Sequence, residues 1–346
     1  MKLKIACLIS LLAAFALTGC AVRMVRGAGA TFPDPLYQDW ITDYTHSHPD
    51  AHLKYNPVGS EEGVGLVRQS KVDFGGSDWP LTPEEEAALP KQPQNGAAHI
   101  YLPVVAGAVS IIYHADGVSR TLRFTPETLC GIFGGNIKRW DDDRLRRDNP
   151  GASLPPQPIT VVRRADGSGT TRVLTEYFAK VCAPTSAPWR AGTGFRVQWP
   201  AGTTGSEHSD GVATAVRDTN NSIGYVEYAY ALNNNLNHGF VMNRSGQFVR
   251  ADSDSISAAI PEQLPPGSRD VAYAILNPAA PDAYPITALT WLLIPLAPKD
   301  QARPVLVDFL TWTLQPDAQL QAKLHGYVEL PERLRTLGLD SIRGVR

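Results

Sequence analysis

"PITVVRRADGSGTTRVLTEYFAKV", residues 158–181, decides how the chain is read. Its opening is β-branched and ends at a polar loop, which predicts a strand. Its close carries apolar residues at 173, 174, 177, 178 and 181, the spacing of one helix face. Ser168, Gly169, Thr170 and Thr171 therefore fall at a helix N-terminus. There the first backbone N–H groups lack partners and the helix dipole is positive, so an oxyanion fits. Gly167 and Gly169 let backbone come close, because no Cβ intervenes. Ser168 and Thr170 add hydroxyls, and Arg164 offers a planar fork able to grip two oxygens. Asp166 is placed to orient that guanidinium. A merely capped helix would explain Ser168 but not the whole set. No Gly-Lys follows at the spacing of a nucleotide-binding P-loop. Glycines flank Ser168 directly, which is not the pattern of a nucleophile elbow.

Two further small-residue turns have the same character. "GAGATFP" (27–33) precedes Leu36, Trp40 and Tyr44, which recur every four residues and predict a helix. Thr31 and Phe32 then present N–H groups near its start. "GSEEGVG" (59–65) places Ser60 before another predicted helix, with Val64, Leu66 and Val67 turned inward. "FGGSDWP" (74–80) adds Asp78 just after a predicted strand. A carboxylate beside an anion makes sense if the ligand carries a proton that the carboxylate can accept. Sulfate carries none at neutral pH, and an unsatisfied buried acceptor costs roughly 1–3 kcal/mol. One acceptor can therefore discriminate between the two anions. Read alone, Asp78 is equally a solvated turn residue.

Outward from these turns, strands and helices alternate along the chain. Strands are predicted at 52–59, 72–78 and 100–114, with helices at 61–71, 83–89, 126–135, 302–314 and 316–327. Apolar runs at 222–232 and 284–296 complete the set. This alternation predicts an α/β architecture with mostly parallel sheets. The runs at 100–114 and 284–296 are candidates for two strands crossing between lobes. Pro- and Gly-rich segments at 149–158 and 261–267 read as connecting loops.

The chain of 346 residues is long enough for two domains, and its net charge of −2 argues against a nucleic-acid partner. Lys2 and Lys4 followed by the apolar run Ile5–Leu17 read as a secretory signal peptide, residues 1–19. "LTGC" (17–20) resembles the lipobox of bacterial lipoproteins. That resemblance implies cleavage before Cys20, lipidation of Cys20 and a tether over 20–26. Acyl chains contribute about 0.8 kcal/mol per buried CH₂, so several of them anchor a protein firmly. Cys130 and Cys182 remain, either as a disulfide of an exported protein or as two buried thiols. His46, His48 and His52 cluster in a polar loop, and no metal site is assigned to them.

"GAGATFP", "VDFGGSD", "VVRRADGSGTTRV", "WDD" (140–142) and "IGYVEYAYA" (223–231) together resemble the periplasmic phosphate-binding protein of the high-affinity phosphate ABC transporter. The resemblance runs from about Gly27 to the C-terminal region. It implies a two-lobe α/β fold of the type II periplasmic-binding-protein class, with a two-strand hinge and the ligand in the inter-lobe cleft. Lobe 1 would be 27–114 plus 292–346, and lobe 2 would be 115–291. The implied phosphate ligands are Thr31, Phe32, Ser60, Asp78, Arg164, Ser168, Gly169 and Thr170, with Asp166 orienting the arginine. The implied partners are inorganic phosphate and the permease and ATPase of the transporter. The protein would be a monomer on the periplasmic side, held to a membrane through its lipid, with no cofactor and no catalysis. The alternatives are a binding protein for another protonated oxyanion such as arsenate, or a phosphate-ester hydrolase. Two departures from the family pattern stand out. Glu61 and Glu62 add negative charge beside Ser60, and "TTGSEHSDG" (203–211) lacks the expected glycine- and lysine-rich character. No function is read from the second.

Overall fold

The computed structural model describes residues 24–89, 99–182, 188–296 and 303–343. The expected signal peptide and Cys20 lie outside the described residues, as does the tether up to residue 23. In chain order the elements begin with β1 (Val25–Gly29), α1 (Asp34–Ser47), β2 (Leu53–Asn56), α2 (Ser60–Arg68), β3 (Phe74–Ser77), α3 (Pro83–Ala87) and β4 (His99–His114). Then come β5 (Arg123–Phe124), α4 (Pro126–Phe133), α5 (Asp143–Asp148), β6 (Thr160–Arg164), α6 (Gly169–Val181), β7 (Thr204–Ser206), α7 (His208–Asp218), β8 (Ser222–Glu227) and α8 (Tyr228–Asn233). The chain ends with β9 (Asn237–His238), β10 (Phe240–Met242), β11 (Phe248–Val249), α9 (Ser253–Ala258), α10 (Ser268–Ile275), β12 (Thr287–Pro295), α11 (Arg303–Thr313), α12 (Pro316–Leu324) and α13 (Glu332–Arg343). Val25 and Arg26, expected in the tether, belong to β1 and pair with β2.

The main sheet runs β2-β1-β3-β12-β4-β8-β6-β7, with β9 beside β4, and a small sheet runs β11-β10-β5. The strand–helix units at either end give parallel pairs, β1 with β2 and β3 on one side and β6 with β7 and β8 on the other. The expectation of mostly parallel sheets is corrected at the centre, where β12 pairs antiparallel with β3 and β4, and β4 antiparallel with β8. The reason is topological. A strand–helix–strand crossover fixes the direction of its own two strands, but β12 arrives from far along the chain and carries no such constraint.

β4 joins the two ends of the sheet. His99–Ala108 pairs with β12, and Val109–His114 pairs with β8. Residues 102–113 are buried without a break, as expected of a strand covered on both faces. The amphipathic spacing in α1 holds, with Leu36, Trp40 and Tyr44 buried. In α2, Val64 and Val67 are buried while Leu66 is only half-buried.

Cys130 in α4 and Cys182 just after α6 are bonded, with Cα atoms 5.9 Å apart and both residues fully buried. The bond closes a sequence separation of 52 residues and ties α4 to the helix that carries the small-residue loop. Restricting the unfolded chain over such a loop contributes about 2–4 kcal/mol. Replacing both cysteines by alanine should lower stability by about that amount. Urea unfolding checks this, and an unchanged midpoint with an unchanged slope would show that the bond adds nothing.

Candidate functional site

The predicted site residues lie at or just after the carboxyl ends of β1, β2, β3 and β6, where ligands of open α/β sheets gather. Gly59 shapes one wall. Its φ is +91°, and a Cβ there would lie 2.6 Å from Asp166 Oδ2 and 2.8 Å from the Gly167 carbonyl. Only glycine combines that backbone with that approach.

Arg164 is almost wholly buried and faces several partners. Its Nε donates to Asp166 Oδ1 at 2.6 Å, and Nη2 donates to Asp166 Oδ2. Nη1 donates to Thr31 Oγ1 at 3.1 Å and Ser209 Oγ at 3.2 Å. Burial disfavours the Asp166 anion, but hydrogen bonds and charge from Arg164, with the His208 N–H at 3.0 Å, outweigh it and hold the carboxyl below its ordinary range. Asp166 is therefore a fixed anion that locks the guanidinium in plane.

The Thr31–Phe32 turn is held from behind. Tyr230 Oη donates to the Thr31 carbonyl at 2.7 Å, and Tyr327 Oη donates to the Phe32 carbonyl at 2.6 Å. In a trans peptide the N–H points opposite to the C=O. Fixing the Thr31 carbonyl thus fixes the Phe32 N–H on the far side of the same peptide.

Ser60 is fully buried, and its Oγ accepts the Gly169 N–H at 3.1 Å. Ser168 Oγ caps α6 by accepting the Thr171 N–H at 3.1 Å, and the Ser168 N–H goes to the Phe195 carbonyl at 3.0 Å. The Ser168 hydroxyl proton remains to be donated. Asp78 is 1% exposed, so it is not a solvated turn residue. Its Oδ1 accepts from Thr290 Oγ1 at 3.2 Å. Burial pushes its carboxyl up to about 7, against the opposing pull of the Arg164 charge and the Thr290 and Thr170 hydroxyls. Thr170 Oγ1 is buried and acts on Asp78 without a well-formed hydrogen bond.

The structure thus gathers the predicted residues around one point at the α6 N-terminus. The set comprises one cation locked by its own anion, several N–H and O–H donors, and one buried acid with a raised pKa. That combination suits a protonated oxyanion. Glu61 pairs with Arg196 at the surface, 2.6 Å apart, and Glu62 is exposed. Sequence reasoning missed Ser209, Thr290, Tyr230 and Tyr327. Ser209, at the start of α7, lies in the stretch 203–211 from which nothing was read. Thr290 had one signal, a hydroxyl inside a mostly apolar strand.

Gly169 is closely packed against two of the site residues. A Cβ there would meet Ser60 Oγ at 2.3 Å and Asp78 Oδ2 at 2.5 Å. Gly169→Ala should weaken anion binding about 10–100-fold, the equivalent of 1–3 kcal/mol of overpacking. Titration calorimetry on the folded variant checks this, and unchanged binding would place the anion elsewhere.

The PBP superfamily domain matches residues 16–317 of the chain. The phosphate-binding protein PstS of Xylella fastidiosa is 35% identical over 315 residues, covering 90% of this chain and 82% of that protein. The phosphate-binding protein PstS of Pasteurella multocida is 34% identical over 328 residues, covering 94% of this chain and 91% of that protein. Among solved structures, a high affinity periplasmic phosphate-binding protein bound with phosphate at pH 8.5 superposes with a TM-score of 0.74 at 24% identity. It covers 91% of this chain and 92% of its own. At that identity the likeness shows the fold.

Proposed function

The chain belongs to the phosphate-binding protein PstS family within the PBP superfamily, and we propose that it binds inorganic phosphate in the cleft and delivers it to an ABC transporter. The observation that carries this reading is the buried Asp78 carboxyl set beside Gly169 in a site otherwise built of donors. Arg164 supplies the countercharge. The N–H groups of Phe32 and Thr170 and the hydroxyls of Thr31, Ser60, Ser168 and Thr170 supply hydrogen bonds, while Gly169, its own N–H held by Ser60 Oγ, leaves room for the anion. Asp78 accepts the proton that phosphate carries and sulfate lacks.

In this reading the lobes are 27–114 with 292–346, and 115–291. The change of partner along β4 at Ala108/Val109 supports β4 as the first hinge strand. Bonds between the two lobes hold the closed state. They include Arg164 to Thr31, Gly169 to Ser60, and Arg172 Nη1 to both Glu85 oxygens at 2.9 and 3.0 Å. A ligand touching both lobes at the same point favours closure over opening. Export, a lipid anchor at Cys20, a monomeric state and docking to a permease and its ATPase complete the proposal. Among the described residues no helix is long and apolar enough to cross a membrane. Binding rather than hydrolysis is favoured because the Ser168 hydroxyl caps a helix and, among the described residues, has no hydrogen bond to a base.

The test is titration calorimetry of the mature soluble domain, stripped of ligand, with phosphate and then sulfate at neutral pH. One-to-one phosphate binding without a sulfate signal supports the receptor. Equal binding of both keeps the anion site but removes the role of Asp78. Folded protein that binds neither overturns the reading.

A further inference from the structure

A second buried acid lies behind the site and takes no part in the mechanism above. Glu227 ends β8 opposite Val109 of β4 and is fully buried. Its Oε2 accepts the Ala229 N–H at 2.6 Å and so caps α8. Its Oε1 is buried with no well-formed hydrogen bond, although the side chain interacts with Tyr327. It shares its surroundings with the first anion-binding turn. A Cβ on Gly107 would come 2.7 Å from the Phe32 ring and 3.2 Å from Glu227 Oε1.

Counting protons explains the orphaned oxygen. Tyr327 has one hydroxyl proton, and it goes to the Phe32 carbonyl. An ionised Glu227 would then leave Oε1 buried without a donor, at a cost of roughly 1–3 kcal/mol and more because it is charged. A neutral acid removes the conflict, since its O–H donates to a lone pair on Tyr327 Oη while Oε2 still accepts from Ala229. We propose that Glu227 is a neutral carboxylic acid that donates to Tyr327 and thereby positions the Thr31–Phe32 turn. Burial first, and the Asp78 charge in addition, push its carboxyl up, against the Ala229 and Tyr230 N–H groups and Tyr327. The same carboxyl caps the helix that carries Tyr230, whose hydroxyl holds the Thr31 carbonyl. One acid therefore steadies both tyrosines behind the turn. The proposal rests on the phosphate reading for its consequence but not for its chemistry.

Infrared spectroscopy tests the chemistry without ligand. The purified Asp78→Asn protein at neutral pH should show a carboxylic-acid C=O band that disappears when Glu227→Gln is added. Calorimetry with inorganic phosphate tests the consequence in the otherwise unaltered protein. Glutamine can donate to Tyr327 and accept from Ala229, so Glu227→Gln should hold phosphate affinity within about threefold. Glu227→Ala leaves the Ala229 N–H unpaired and takes from Tyr327 Oη the donor to its lone pair, and should lose about 10–100-fold. No change in the acid band on Glu227→Gln, or a glutamine variant as impaired as the alanine one, overturns the proposal. Should the unaltered protein fail to bind phosphate, the receptor reading falls while the infrared difference still decides the state of Glu227.

Discussion

Replacing Asp78 by asparagine should make the protein more stable above neutral pH and poorer at telling phosphate from sulfate. The stability effect follows from the raised pKa. Asp78 stands at about 7 in the folded protein against an ordinary 3.8, so the folded state holds a proton that the unfolded chain has already released. Stability therefore falls as pH rises from about 4 to about 7, and the loss is complete above that range. Its size is about 4 kcal/mol at most. Asparagine does not titrate, so the gain from Asp78→Asn should be near zero at pH 4 and largest at pH 8, and urea unfolding without phosphate measures it. Binding changes through a different route. A carboxylate accepting the phosphate proton makes a charge-assisted bond, roughly twice as strong as a neutral one. An amide oxygen can accept the same proton only in a neutral, weaker bond, and the charge that repels sulfate is gone. Selectivity should fall about 10–100-fold, the cost of one unsatisfied buried group. A preference left intact would take Asp78 out of the mechanism.

What the sequence revealed and what it hid divide along the same physical line. Arg164, Asp166, Ser168, Gly169 and Thr170 lie in one stretch between a strand and a helix, so local pattern alone placed them together. Asp78 was legible as a carboxylate after a strand, but its burial was not, because burial depends on elements from elsewhere in the chain. Thr290 reaches Asp78 across 212 residues of sequence and Tyr327 reaches Phe32 across 295. No local periodicity records such contacts. The antiparallel centre of the sheet escaped for the same reason, as did the side on which Glu61 lies. Pairing of Cys130 with Cys182 hung on a Cα separation that spacing cannot supply.

Arg164→Lys should cost phosphate affinity more than any other conservative change at the site. The charge survives but the fork does not. In the native protein Nε and Nη2 engage both oxygens of Asp166 while Nη1 reaches Thr31 and Ser209. A lysine ammonium is a point donor on a flexible stem and cannot hold the carboxylate and the turn together. Affinity should drop about 100–1,000-fold, and stability should fall too, since a buried carboxylate stripped of its partner costs about 3–5 kcal/mol. Adding Asp166→Asn separates the two effects. The double variant should regain stability, because no unpaired buried anion remains, yet bind phosphate no better than Arg164→Lys alone. Arg164 also restrains the neighbouring acid, since its charge pulls the Asp78 carboxyl down. In Arg164→Ala that restraint is gone, and Asp78 should titrate above its native value of about 7. The residual pH dependence of binding should move upward with it. Calorimetry across pH checks both effects. Lysine binding within threefold of the native protein would show that charge suffices, and an unmoved pH profile in the alanine variant would show that Arg164 and Asp78 do not act as one electrostatic unit.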